Sequence, residues 1–197
     1  FNISGTVQTD EGYPVSTGMR LWASQCCEYT SSSNSGAYQI NDIREGTDYQ
    51  LSTYADQATI YRSGLNAVLV QGDNRNTKTF DLSQDTILDF TLDVIYVEGA
   101  VTDINLVPIE GASVQGLKNY FRGTTTDSQG RYALAFYSSQ TSTRIKVIPP
   151  NDTYEYKEFS LELSAQNVDL NIQLRELEQF NISGTVQTDE GYPVSTG

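Results

Sequence analysis

An all-β chain of tandem β-sandwich modules is predicted, and three observations predict it. The composition is rich in Thr, Val and Ile with 13 Tyr, against one Met and one Trp, and the abundant types suit a pleated, half-buried surface. Short apolar runs of period two recur along the chain between clusters of Gly, Asn, Asp and Ser, and no segment carries an apolar stripe at helical spacing with caps. Residues 1–18, FNISGTVQTDEGYPVSTG, return unchanged as residues 180–197, so that Phe180 repeats Phe1 at a period of 179 residues.

The runs place strands at 2–8, 18–24, 37–41, 48–54, 66–70 and 86–93, and again at 96–102, 112–117, 131–136, 143–148, 158–163 and 168–174. Short strands at regular spacing with turns between them are the mark of a sandwich or small barrel. The closing runs, Thr86 to Leu92 and Val168 to Leu174, alternate cleanly, and each leads almost directly into the next opening strand. Linkers are therefore expected to be very short, and a row of such modules is expected to behave as a semi-rigid rod.

An identity over 18 residues records a unit copied almost verbatim, of which this chain holds one period and the opening of the next. A duplicated tag explains it less well, because the copied segment reads as a natural strand and turn. Inside the period a weaker likeness appears: Gly5, Val7 and Pro14 match Gly99, Val101 and Pro108, and Ser35–Ile40 matches Gln129–Leu134. Each period thus divides in two, with module one at 1–94, module two at 95–179, and 180–197 forming the first strand and turn of the next copy. An opening at Phe1 instead of Met fits an interior segment of a longer chain.

The 197 residues carry 25 acidic against 12 basic side chains, a formal charge of −13. Such a surface repels phosphate backbones and anionic membranes, so no nucleic-acid partner is expected. No run approaches the roughly 18 apolar residues of a spanning helix, so no membrane insertion is expected of this segment. Cys26 and Cys27 are neighbours, and consecutive Cα atoms lie about 3.8 Å apart, short of the usual disulfide span. A loop-closing disulfide within the chain is excluded; the expectation is two thiols facing opposite sides of a strand, with a vicinal or interchain bond as alternatives. Sequons for N-glycosylation occur at Asn2, Asn151 and Asn181.

The chain has no His, which removes the commonest general base, nucleophile activator and zinc ligand together. No phosphate-binding glycine loop occurs either. Hence no catalytic, cofactor-binding or metal residue is assigned, and no enzyme is expected. The acidic positions Asp10, Glu11, Asp103 and Asp127 raise calcium, but carboxylates at alternate positions are missing, and Asp127 is expected to bond its own backbone in a turn. Tyr38, Tyr49, Tyr132 and Tyr137 read either as a sugar-stacking platform or as half-buried strand residues with the hydroxyl at the rim, the second being the expectation.

The series G-x-V, G-x-P-V/I-x-x-G and S/D-x-x-G-x-Y, followed by an alternating closing strand, resembles the carboxypeptidase-regulatory-like and Cna-B-like modules. Here the residues are Gly5, Val7, Gly12–Val15, Gly18, Gly36 and Tyr38, and then Gly99, Val101, Pro108–Gly111 and Asp127–Tyr132. The resemblance implies a Greek-key sandwich of prealbumin-like, Ig-like type and an extracellular or cell-surface location. It implies a structural role: a segment of a stalk, adhesin or filament, acting as a semi-rigid spacer or polymer-forming unit. Partners would be neighbouring copies of the same repeat, in a covalent array or by strand addition through residues 180–186. The alternative is a glycan- or ligand-binding accessory module of a large secreted protein. One departure stands out. Cna-B-like modules often carry a Lys–Asn isopeptide bond from a Lys near the first strand, whereas residues 1–77 and Val97–Thr102 contain no Lys, and Lys118, Lys146 and Lys157 lie further on. Rigidity is therefore expected from packing and module contacts.

Overall fold

The computed structural model describes all residues except 24–25, 63, 71–75, 118–120, 165, 179–182, 184–186, 188 and 193–197, with backbone alone at 21–23, 26–27, 54–57 and 121. Among the described residues there is no helix. The first nine strands are β1 (Ile3–Thr9), β2 (Val15–Ala23), β3 (Cys26–Ser31), β4 (Ala37–Ile40), β5 (Gly46–Ile60), β6 (Ala67–Leu69), β7 (Thr77–Leu82), β8 (Thr86–Ile87) and β9 (Phe90–Leu92). Eight more follow: β10 (Val94–Thr102), β11 (Ser113–Leu117), β12 (Phe121–Thr125), β13 (Arg131–Tyr137), β14 (Ser142–Ile148), β15 (Lys157–Glu162), β16 (Val168–Asp169) and β17 (Ile172–Gln173).

The same pairing scheme occurs twice. Strand β1 pairs antiparallel with β4 and, on its other edge, in parallel with β8 and then β9. Strand β10 repeats this with β13, β16 and β17. The facing layers run β3-β2-β5-β7 and β12-β11-β14-β15, all antiparallel. In each half the chain leaves the first layer for a hairpin in the second, returns for one strand, crosses again for two, and closes beside its own beginning. These crossings give the Greek-key order, and the alternating burial along β1 and β14 is what the period-two pattern predicts.

Three strands lie outside the predicted runs: β3, β7 and β12. Each is an edge strand with one hydrogen-bonded neighbour. An edge strand is held by its ladder and presents mostly solvated side chains, as along β7, so periodicity in hydrophobicity does not reveal it. The closing strands are also split. A residue pair interrupts each ladder, Leu88–Asp89 in the first half and Leu170–Asn171 in the second.

Among the described residues, two hydrophobic clusters form the cores. One gathers Ile3, Val7, Met19, Leu51, Ile60, Phe90 and Leu92; the other gathers Val97, Val114, Leu134, Phe136, Ile145, Val147 and Ile172. Only Asp93 separates β9 from β10.

Candidate functional site

No cluster of three or more His, Cys, Asp or Glu residues able to hold a metal ion occurs among the described residues. What distinguishes the molecule is the junction between its halves. Strand β13, Arg131-Tyr-Ala-Leu-Ala-Phe-Tyr137, is buried at every residue after the first, and β10 is buried from Val94 to Val97. Alternation sends successive side chains to opposite faces. Ile95, Val97, Tyr132, Leu134 and Phe136 enter the second cluster, while Val94, Tyr96, Ala133, Ala135 and Tyr137 enter the first. One pair of strands is thus a wall common to both cores.

Strand β6 reinforces that wall. It pairs antiparallel with β5, Ile60 opposite Ala67, and in parallel with β13, Leu134 opposite Val68 and Ala135 opposite Leu69. The Val70 N–H donates to the Ala135 carbonyl at 2.8 Å. Through β6 the second layer of the first half and the first layer of the second half become one nine-stranded sheet, ordered β16-β10-β13-β6-β5-β2-β3 with β7 and β17 attached.

Polar contacts pin the same place. The Arg62 guanidinium donates to Glu98 Oε2 at 2.6 Å and lies 4.1 Å from the centroid of the Tyr96 ring. Burial works against the Arg62 charge, but the hydrogen bond and charge of Glu98 outweigh it and hold the pKa above its ordinary value. Tyr96 itself is fully buried, and burial raises its phenol pKa against the opposing pull of Thr9 and Arg62.

Each half carries one set of landmarks that explains its motifs. A Cβ on Gly5 would overlap the Leu88 carbonyl oxygen, and one on Gly99 the Leu170 carbonyl oxygen, so the G-x-V glycine is where the split strand crosses closest. Tyr38 donates its hydroxyl to the Leu88 carbonyl, and Tyr132 donates to that of Leu170. Asp89 Oδ1 accepts from the Thr6 N–H at 2.8 Å, as Asn171 Oδ1 accepts from the Ala100 N–H at 2.9 Å. The buried hydroxyls Ser32 and Thr126 donate to the carbonyls of Val15 and Ile109 at 2.7 and 2.6 Å. Gly36 and Gly130, at φ 80° and 72°, turn the chain where a side chain would strike Val7 and Val101.

The tyrosines considered as a sugar platform are more deeply placed than half-buried. Tyr38, Tyr49, Tyr132 and Tyr137 are 5%, 6%, 0% and 6% exposed, and Tyr49 donates to the Arg44 carbonyl at 3.0 Å. They form part of the two cores and present no face to a sugar ring. Asp127 Oδ1 accepts from the N–H groups of Gln129 and Arg131, and its Oδ2 from Arg131 Nε, each at 2.9 Å. The Arg131 bonds hold its carboxyl below the usual range. Asp103 Oδ1 accepts from Asn105 and Val107 N–H at 2.8 Å. Both carboxylates close their own turns. Asp10 and Glu11 lie exposed in the turn between β1 and β2, where Asn167 Nδ2 donates to Glu11 Oε1 at 3.5 Å.

Lys157 donates to the Gln173 carbonyl at 3.4 Å, and Lys146 sits 5.7 Å from the Tyr156 ring centroid; Lys118 lies outside the described residues. So do the side chains of Cys26 and Cys27, whose backbone opens β3 opposite Ala23 and Trp22. Asn151 is exposed and Asn2 partly so, while Asn181 lies outside the described residues. The same holds for most of 180–197, the expected strand and turn of the next copy.

Sequence reasoning did not single out Arg62, Tyr96, Glu98, Ala133 or Ala135. One signal marks the last two. Where the chain through β4 and one residue beyond alternates as Tyr38-Gln39-Ile40-Asn41, β13 reads Tyr132-Ala133-Leu134-Ala135, a continuous apolar run of the kind a strand shows when covered on both faces.

No protein-family model and no curated protein matches the chain. Among solved structures it is similar to the Bacillus anthracis TIE protein, at 10% identity and a TM-score of 0.37, over 98% of this chain and 40% of that one. It is similar to a mutant of the shaft pilin spaA from Lactobacillus rhamnosus GG, at 10% identity and a TM-score of 0.42, over 91% and 99% of the two chains. It is also similar to GBS52, the minor pilin of Streptococcus agalactiae, at 11% identity and a TM-score of 0.36, over 93% and 99%. Each superposition is loose.

Proposed function

We propose that the chain is a structural tandem-repeat segment of a long extracellular stalk, adhesin or filament, in which each 179-residue period comprises a sandwich at 1–94 and another at 95–179. The observation that carries this reading is the verbatim return of residues 1–18 at 180–197, taken with a junction that has no slack. Repetition of that fidelity serves length, and a common wall keeps each period from bending at its middle. The acidic surface, at a formal −13, keeps a long array soluble.

Neighbouring copies are the partners, joined along one covalent chain. Strand addition through 180–186 fits less well, because the place such a strand would take is filled: β1, with the same sequence, is already paired on both edges. Recombinant arrays of increasing copy number test the proposal by small-angle scattering. The maximum dimension is expected to increase with every added copy, and a compact particle whose size stays near that of one period would overturn it.

A further inference from the structure

Resting on that reading, we propose that the rigid, cooperative unit of the array is the whole 179-residue period, and that successive periods meet without a shared sheet, so the array bends at every second junction only. Three features join the halves inside a period: an apolar outer wall, a bridging strand, and a short connection. Among the described residues, the parts that would meet the neighbouring period have neither the wall nor the bridging strand, and the connection there is longer.

The wall comes first. Within the period its outer face is Val94, Tyr96, Ala133, Ala135 and Tyr137, none more than 6% exposed. The corresponding face at the start of a copy belongs to β1 and β4. Their registers, Ile3 opposite Ile40 and Val97 opposite Leu134, equate Tyr96 with Asn2, Ala133 with Gln39 and Ala135 with Asn41. Gln39, Asn41 and Thr6 are exposed there. Gln39 Nε2 donates to Asn41 Oδ1 at 2.6 Å, but covering that face with an apolar core would strip water from the remaining amide groups, at about 1–3 kcal/mol for each left unpaired.

The bridging strand comes second. In the first half the connection from β5 to β7 carries β6, which reaches into the next half. The matching connection, residues 149–156 between β14 and β15, contains no named strand. Its backbone is instead engaged with its own chain: Tyr154 bridges Glu176, Glu155 N–H donates to the Arg175 carbonyl at 2.9 Å, and Leu177 N–H donates to the Thr153 carbonyl at 2.8 Å. Those groups are not free to recruit a strand from the following copy.

The connection comes third. Counted between matching residues, 93–96 lie between Leu92 and Val97, whereas 175–181 lie between Leu174, the counterpart of Leu92, and Ile182, the copy of Ile3. Arg175, Glu176, Leu177 and Glu178 are all exposed.

The test uses arrays of one, two and four complete periods in three measurements. Calorimetry is expected to give one two-state transition whose midpoint does not move with copy number. Limited proteolysis is expected to give a ladder in steps of one period, with no half-period fragments. Electron microscopy is expected to show straight segments one period long, set at varied angles. A half-period ladder, a midpoint that rises with copy number, or a uniformly straight rod would overturn the inference. A straight rod whose length still grows with copy number leaves the array reading standing, whereas a compact particle sinks that reading itself.

Discussion

The hydroxyl of Tyr132 donates to the main-chain carbonyl of Leu170 at 2.7 Å, tying β13 to the break in the closing strand beside Gly99. Tyr38 makes the same bond to Leu88 in the first half. Because Tyr132 is wholly buried, Tyr132→Phe strands the Leu170 carbonyl and is expected to cost about 1–2 kcal/mol in urea unfolding. Burial, and then the charges of Asp169 and Asp89, raise the phenol pKa of Tyr132 and Tyr38 respectively. A raised folded pKa contributes stability that is whole below the unfolded tyrosine value near pH ~10 and is lost as pH climbs beyond it. Stability is therefore expected to fall above that pH, with a shallower slope in Tyr132→Phe; an unchanged slope would refute the assignment.

Asp89 and Asn171 do the same work with different chemistry, each accepting a main-chain N–H across the split strand. The Thr6 side-chain and backbone hydrogen bonds hold the Asp89 carboxyl below its ordinary value. Its contribution is present above the unfolded carboxylate pKa, about 3.9, and is lost as pH falls through the lower folded value. Asp89→Asn is expected to leave stability at pH 7 within about 1 kcal/mol while softening the acid transition. Chemical denaturation from pH 7 down to 2 checks it.

Leu106 occupies a left-handed conformation, φ 65°, at the place in its turn where the first half has Gly12 at φ 85°. Its side chain is 69% exposed, so little packing compensates for the backbone conformation. Relief of roughly 1–2 kcal/mol of strain, set against the greater freedom of glycine in the unfolded chain, predicts a net gain of about 0.5 kcal/mol for Leu106→Gly. The urea midpoint should rise at constant slope.

Tyr96 belongs by sequence to the second half and by packing to the core of the first. Tyr96→Ala is expected to cost about 3–5 kcal/mol and to move a single transition, with near-ultraviolet circular dichroism and hydrogen exchange in both halves shifting together. Loss confined to residues beyond 94 would show that the wall does not couple the cores.

The sequence made the central elements legible because β1, β4, β10, β13 and β14 bury alternate or continuous apolar residues, and burial leaves a hydrophobic imprint. Edge strands such as β7 leave little, since their stability lies in main-chain bonds that any residue except proline supplies. The motif residues Gly5, Tyr38, Gly99 and Tyr132 were visible as a pattern, but their common purpose, crowding around the Leu88 and Leu170 carbonyls, depends on contacts between residues distant in sequence that no local pattern encodes. The common wall had a trace in Ala133 and Ala135, where alternation stops. Arg62 and Glu98 had none, because an isolated charge reads as solvated surface until its partner is in place.

A wall contributed late in the chain has a consequence for biosynthesis. As the polypeptide leaves the ribosome, the first core lacks Tyr96, Ala133, Ala135 and Tyr137 until translation has passed the last of them, so its apolar lining waits open. In the proposed array that interval would invite a neighbour to lend the same strands, the exchange to which repeat proteins are prone. Asp93, as the single residue between β9 and β10, counters it: the correct wall arrives already tethered beside its core, at an effective concentration no other copy can match.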